Sequence, residues 1–306
     1  MIKNLLFCLL IVFVADNVLA QQDILMTHFM FDKLRINPAI TGVEEGISSA
    51  MVYRNQWDKV AGAPNTAIFN CEMNLSKYTG GGAGLSFYHD AIGPIRQNRL
   101  LLNYAYPIQI GETGVLNIGL GLGLLNFGLE PNWIPPTSAV DASLPTASSG
   151  NSIDGNFGVY YKSFKGYYVG LSSAHLNKPT IHTSNFTFER HYFVNVGHRF
   201  SNILGPKRDL EAQVLVMSDL IKHVGDINLR YIHSNLFYAG LTIRTTNTYC
   251  MMAGFYPLKN ITLGYSFDLN ANSILSASNG THEIVLRYRY IAPIPPSEKS
   301  KHPRWL

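Results

Sequence analysis

Charge is scarce in this sequence. Only 14% of its 306 residues are Asp, Glu, Lys or Arg, against about 25% in an ordinary soluble domain, which leaves little to furnish a surface wholly in water. Long apolar runs are scarce too. Beyond the first 20 residues every greasy stretch is broken within a few positions by Gly, Asn, Arg or Glu, and none supplies the roughly 20 consecutive apolar residues of a spanning helix. That argues against a helical membrane protein. Cysteine is confined to Cys8, Cys71 and Cys250. The last two lie in predicted strands among Met and aromatic neighbours, where a thiol serves as a small hydrophobe, and no structural disulfide is expected.

Signatures of chemistry are missing as well. The 10 histidines form no H-x-x-x-H or H-E-x-x-H pair, so no metal site is expected. GGGAG at Gly80 to Gly84 is followed by neither Lys-Ser nor Lys-Thr, so it reads as a tight turn between strands and not as a phosphate loop. Ser172, Ser173, His175 and His191 could meet across strands, but no G-x-S-x-G elbow singles out a nucleophile; polar lumen lining or loop solvation is the plainer role. The formal net charge of +4 is scattered and not gathered into a run, so no nucleic-acid partner is expected. Together these absences predict no catalytic residue, no cofactor and no enzyme.

What is present begins at the N-terminus. MIKNLLFCLLIVFVADNVLAQQ combines Lys3, an apolar core from Leu5 to Val14 and the small-residue ending Val18-Leu19-Ala20, the pattern of a secretory signal peptide at 1–20, cleaved after Ala20. Cys8 lies too early, behind bulky Phe7, to anchor a lipoprotein. From Ile47 onward the chain divides into segments of about ten residues with period-two patterning, separated by Gly, Pro, Asn and Asp clusters. Fourteen strands are predicted, from 47–57 to 280–291. An even number of such strands suits an outer-membrane β-barrel with short periplasmic turns and longer outer loops.

The last strand illustrates the two faces. In GTHEIVLRYRY, His282, Ile284, Leu286, Tyr288 and Tyr290 share one parity, while Glu283, Val285, Arg287 and Arg289 share the other. An Arg facing lipid near the midplane costs about 2–4 kcal/mol, so the charged parity is assigned to the lumen. The strand should close the barrel against the first strand. Elsewhere Leu116, Ile118, Leu120, Leu122 and Leu124 oppose Asn117, Gly119, Gly121 and Gly123; the small polar face suits a wet lumen better than a dry core. Aromatics such as Tyr53, Trp57, Tyr104, Tyr160 and Tyr168 gather near strand ends, as interfacial girdles do. A secreted protein of several sandwiches is the rival on pattern alone. The expected organisation is a leader at 1–20, a periplasmic or lumenal segment at 21–46, the barrel at 47–291, and an exposed periplasmic tail at 292–306.

Several ordered motifs point further. QDILMTHFMFDKLRINPAITG from Gln22, YRNQW at Tyr53 to Trp57 and GAPNT at Gly62 to Thr66 are followed by HDAIGP at His89, HYFVNVGHRF at His191, LGYSFD at Leu263 and GTHEIVLRYRY itself. Over essentially the whole mature chain the sequence resembles the PorP/SprF family of Bacteroidetes outer-membrane proteins. It departs from the family's pattern at His198 and Phe267, where Tyr is frequent.

The resemblance implies a non-enzymatic, fourteen-stranded component of the type IX secretion system. Its implied partners are the periplasmic and outer-membrane parts of that system and secreted proteins bearing a type B C-terminal sorting domain, of the gliding-adhesin kind. A porin or small-substrate channel is the alternative that the same barrel permits. The candidate contact residues are Asn37, Pro38, Tyr53, Arg54, Gln56, Trp57 and Trp133. The 21–46 segment is expected in the lumen or periplasmic mouth with a turn at Asn37-Pro38-Ala39. Arg54 is expected to meet a carboxylate, with Asp58, Asp90 and Asp268 as candidates. The long outer loop Phe127 to Ser149, with Trp133, is the expected contact for a secreted partner.

Overall fold

The computed structural model describes residues 24–130, 146–234, 236–271 and 276–291. The leader at 1–20, Trp133 and the tail at 292–306 lie outside the described residues. Fourteen antiparallel strands close into one barrel. They are β1 (Ile47–Asn55), β2 (Asn65–Asn74), β3 (Gly82–Ile92), β4 (Ile95–Ile110), β5 (Gly114–Leu129), β6 (Ser148–Ser163), β7 (Tyr167–Ala174), β10 (His191–Phe200), β11 (Arg208–Ser218), β12 (His223–His233), β13 (Phe237–Arg244), β14 (Thr248–Leu258), β15 (Ile261–Asn270) and β16 (Thr281–Tyr290). The short strands β8 (Thr180–Ile181) and β9 (Phe186–Thr187) form a separate ribbon in the outer connection between β7 and β10. Each barrel strand pairs with its sequence neighbour in the barrel, and β16 closes on β1 with Ile47 opposite Tyr290 and Asn55 opposite His282. Closure removes every free edge, which hydrocarbon demands because it offers no partner to an open backbone.

The strand ends fall close to the expected boundaries, with two informative differences. β5 and β6 run past the expected 113–126 and 150–162, so Phe127 and Ser148–Ser149, read as loop, belong to strands. The reason is a local apolar cluster in which Leu125 and Phe127 pack with Ile181, Phe186 and Phe188 of the β7–β10 connection, Phe127 stacking on Phe186 at 4.5 Å. At 16 residues each, β4, β5 and β6 exceed the about 9–11 needed to cross the hydrocarbon, so this part of the wall projects beyond the bilayer. The glycine cluster also divides. Gly80, with φ 78°, ends the one-turn helix α2 (Ser76–Thr79), whereas Gly82 to Gly84 already belong to β3.

The two faces are chemically distinct. Along β16, Ile284, Leu286, Tyr288 and Tyr290 are exposed outward, while Glu283 and Val285 are buried inward. On β5, Ile118, Leu120, Leu122 and Leu124 face outward and Asn117, Gly119 and Gly121 face inward. Leu122 sits midway along β5, 63% exposed on the lipid side. Leu122→Arg is therefore expected to destabilise the barrel by about 2–4 kcal/mol, read as a lower denaturant midpoint for refolding into vesicles. An unchanged midpoint would contradict the assigned lipid face.

Candidate functional site

The barrel interior is occupied by the chain's own residues 24–46. Within it, α1 (Lys33–Ile36) gives way to a 3-10 turn at Pro38–Ile40. Asn37 caps that turn, its Oδ1 accepting from Ala39 N at 2.9 Å, and Pro38 occupies the first helical position, where its fixed φ is favourable and its missing N–H costs nothing. The Asn37 amide also donates to Val159 O at 3.1 Å, and Ser172 Oγ donates to Ile36 O at 2.7 Å. The turn is thus tied to the inner faces of β6 and β7.

Glycine makes that docking possible. A Cβ on Gly119 would lie 2.3 Å from Ala39 N and 2.4 Å from the Pro38 carbonyl carbon, and one on Gly158 would lie 1.9 Å from Asn37 Oδ1. On β3, a Cβ on Gly82 would lie 2.5 Å from Thr41 O. At these three positions the small inner face of the strands meets the plug itself. A pleated wall bare of side chains lets a turn approach to van der Waals distance.

Polar fastenings hold the other end of the plug. Glu283, fully buried, accepts from Thr27 N at 3.0 Å, His28 N at 2.7 Å and Arg54 Nη1 at 3.0 Å, with His28 Nδ1 at 2.8 Å. Asp268 accepts from Thr27 Oγ1 at 2.8 Å and pairs with Arg54 Nη2 at 2.7 Å. Midway along, Asp32 accepts from Arg35 Nε at 2.6 Å and Asn70 Nδ2 at 3.0 Å. Apolar packing fills the space between, with Met26 among Val52, Ile68, Tyr88 and Val285, and Phe29, Met30 and Ile36 among residues of β7 and β10 to β14. The lumen around the plug is therefore filled by the plug and by inward side chains, apolar beside Met26 and Phe29 and polar elsewhere.

The wall carries further paired arginines. Arg244 grips Asp226 through two bonds of 2.8 Å, Arg230 meets Glu211 at 2.6 Å, and Arg99 bridges Asp154 and Asn156. Such forked pairs satisfy buried charges with geometry that Lys does not reproduce.

Of the residues singled out in the sequence, Asn37 and Pro38 form the docked turn. Arg54 points inward and reaches Asp268 and Glu283, not Asp58 or Asp90; Asp90 accepts from Thr66 Oγ1 at 2.7 Å. Tyr53, next in sequence, faces outward and donates to Asn65 Oδ1 at 3.2 Å. Gln56 and Trp57 lie in the outer loop 56–64, held by backbone bonds to Pro64 O at 2.9 Å and Thr281 Oγ1 at 3.2 Å. The structure therefore divides the Tyr53 to Trp57 motif among lipid face, lumen and loop. Arg287 pairs with Glu44, and Arg289 Nε lies 3.7 Å from the same carboxylate, at the far end of the lumen from Glu283. Thr27, His28, Lys33, Glu44 and Gly158 were not singled out by sequence, and Gly119 was read only as part of the small inner face. The signal for the first four was the concentration of motif residues between 21 and 46.

Below the plug, on the side of the short turns, a cavity of about 440 Å³ opens between the plug and the strand ends. Barrels of the outer membrane keep short turns in the periplasm, so this is the periplasmic mouth. Its lining includes Lys33, Lys162, Lys259, Arg230, Arg287 and Arg289, facing Glu44, Glu72 and Glu211. Burial pushes the Lys33 ammonium below the ordinary lysine value, opposed by Glu211 and Glu44. Burial alone would raise the Glu44 carboxyl, but Arg287, Lys33 and Arg289 together hold it below the usual carboxylate range.

A fourteen-stranded outer-membrane barrel that carries its own plug is the class of protein these features define. The chain belongs to the family of type IX secretion system membrane proteins PorP/SprF, whose family model matches residues 18–288. It is an outer-membrane component of that secretion system. No curated protein matches the sequence. Among solved structures, the CymD monoaromatic hydrocarbon channel is similar with a TM-score of 0.56 at 12% identity, over 85% of this chain and 93% of that one. The Ralstonia pickettii toluene transporter TbuX gives a TM-score of 0.48 at 12% identity, over 85% of this chain and 94% of that one. The CymD likeness is one of fold alone.

Proposed function

We propose that this barrel is a non-enzymatic docking component of the type IX secretion system. Its periplasmic mouth engages the periplasmic secretion machinery. Its outer loops retain an exported protein with a type B C-terminal sorting domain, of the kind used in gliding motility. The observation that carries this reading is the plug: residues 24–46 occupy the interior and are bonded or packed to β1, β2, β6, β7, β15 and β16 among others, which leaves the two ends of the barrel as working surfaces. Affinity purification from native outer membranes tests it, with secretion components and a surface protein expected among the co-purifying chains.

Planar-bilayer recording separates docking from permeation. The intact chain is expected to stay silent, and removal of residues 24–42 to give a steady conductance. A porin-like current from the intact chain would favour the channel reading instead.

A further inference from the structure

The periplasmic mouth holds more positive charge than its own carboxylates neutralise. Arg230 is taken up by Glu211, and Arg287 and Arg289 converge on Glu44. Lys33, Lys162 and Lys259 line the same cavity with no carboxylate within ion-pair distance among the described residues. They come from three separate parts of the wall: the plug, the end of β6 and the β14–β15 turn. Lys33 is half-buried, its ammonium 5.2 Å from the centre of the Tyr168 ring. An ammonium partly withdrawn from water is favoured by a nearby anion.

The surroundings define what kind of anion fits. The cavity volume of about 440 Å³ lies in the range of sites that enclose a ligand of several groups. Phe31, Ile232, Tyr168 and Tyr256 share the lining with the cations, so apolar stems as well as charged tips find partners there. The strands surround it on all sides, so bilayer lipid has no lateral way in. Access is from the periplasm only.

We infer that this mouth is a binding site for an acidic polypeptide segment, an extended stretch bearing several Asp or Glu side chains, presented from the periplasm. The inference rests on the docking reading above and supplies the chemistry of one of its contacts. Lys33 is the floor of the site, with Lys162 and Lys259 at its rim. Carboxylates entering between them replace the water that burial has removed from Lys33, and the lowered affinity of that ammonium for its proton marks the same deficit. Because the attraction is between charges near solvent, it weakens as salt rises.

The test is fluorescence anisotropy with fluorescein-labelled hexaglutamate and the full chain in nanodiscs. Saturable binding is expected at 50 mM salt, weakened at least tenfold at 500 mM. Lys162→Gln with Lys259→Gln, both at exposed positions that the fold does not need, is expected to weaken it about tenfold, and adding Lys33→Gln to abolish it. Lys59→Gln with Lys222→Gln, on the outer loops, is expected to leave it unchanged. Heat-modifiable gel mobility verifies folding of each variant. Absence of saturable binding, wild-type binding by the rim pair, or displacement by inorganic phosphate at equal charge concentration would each overturn the inference. In native membranes, retrieval of secretion components by both wild type and rim pair also overturns it while leaving the docking reading intact. Retrieval by neither overturns the docking reading, and the hexaglutamate titration still decides the acidic-segment site.

Discussion

Gly119→Val should open the barrel without unfolding it. The new Cβ falls 2.3 Å from Ala39 N and 2.4 Å from Ala39 Cα, and these are backbone atoms of a turn capped by Asn37 and stiffened by Pro38, so neither can swing aside as a side-chain tip would. Ordinary overpacking costs about 1–3 kcal/mol when neighbours can shift; here the movable body is the plug itself. It leaves its seat, and the expected readout is a steady bilayer conductance where the wild type is silent. Heat-modifiable mobility should persist, because the β4, β5 and β6 pairings do not depend on the turn. Gly158→Ala gives the graded control. Its Cβ meets chiefly the Asn37 side chain, Oδ1 at 1.9 Å and Cγ at 2.9 Å, with the Pro38 ring at 3.2 Å; that side chain can rotate at the expense of its cap, a loss of about 1 kcal/mol, so brief openings are expected in place of a steady one. Gly128→Ala, whose nearest neighbour would stand at 3.8 Å, should change nothing. A silent Gly119→Val barrel would mean that the turn does not close the interior.

The glycines at 119 and 158 also mark where the sequence stops being legible. Period-two patterning reveals which parity faces lipid, because an arginine such as Arg287 or Arg289 on that side is too costly for the fold to tolerate. Strand number and the β1–β16 closure follow from the same logic, since every strand must find two neighbours. The parity rule says nothing about what fills the inside. A small inward residue reads the same in one sequence whether water or another backbone lies against it, so Gly119 and Gly158 pass for lumen lining. Arg54 shows the same limit from the side of charge. Asp268 stood among the candidates beside Asp58 and Asp90 with nothing in the sequence to rank it, and Glu283 did not; both become neighbours of Arg54 only because β15 and β16 follow β1 around the closed wall. Thr27 and Glu283 are separated by 256 positions, and no local pattern announces a contact made across the lumen. Lys33 and Glu44 were hidden for a third reason, as their charges acquire meaning only once the plug carries them into the periplasmic mouth that Arg287 and Arg289 also line.

Glu283→Gln should release the outer end of the plug even though it preserves size and shape. The buried carboxylate accepts from two backbone N–H groups and a guanidinium, and sits against His28 Nδ1. An amide offers one oxygen, and its NH2 must then face either the Thr27 N–H and Arg54 or the His28 groups, donor against donor. Glu283→Ala removes both oxygens and leaves the buried Thr27 and His28 groups without that partner, and breaking one side of a buried ion cluster costs about 3–5 kcal/mol. Arg54 keeps Asp268 at 2.7 Å in either variant, so the greater part of the loss falls on Thr27 and His28, the plug's own attachment. The expected order of thermal stability, followed by heat-modifiable mobility, is wild type above Glu283→Gln above Glu283→Ala, with protease cleavage near residue 28 appearing in the same order. Arg54→Ala should be comparably damaging, because it strands Asp268 and Glu283 side by side. Combining Arg54→Ala with Glu283→Ala leaves one carboxylate, still bonded to Thr27 Oγ1, and no unpaired cation. The double variant should therefore be more stable than the sum of the singles by at least about 1 kcal/mol, the coupling expected of residues within one network. Strict additivity would show that Arg54 braces the wall independently of Glu283 and the plug.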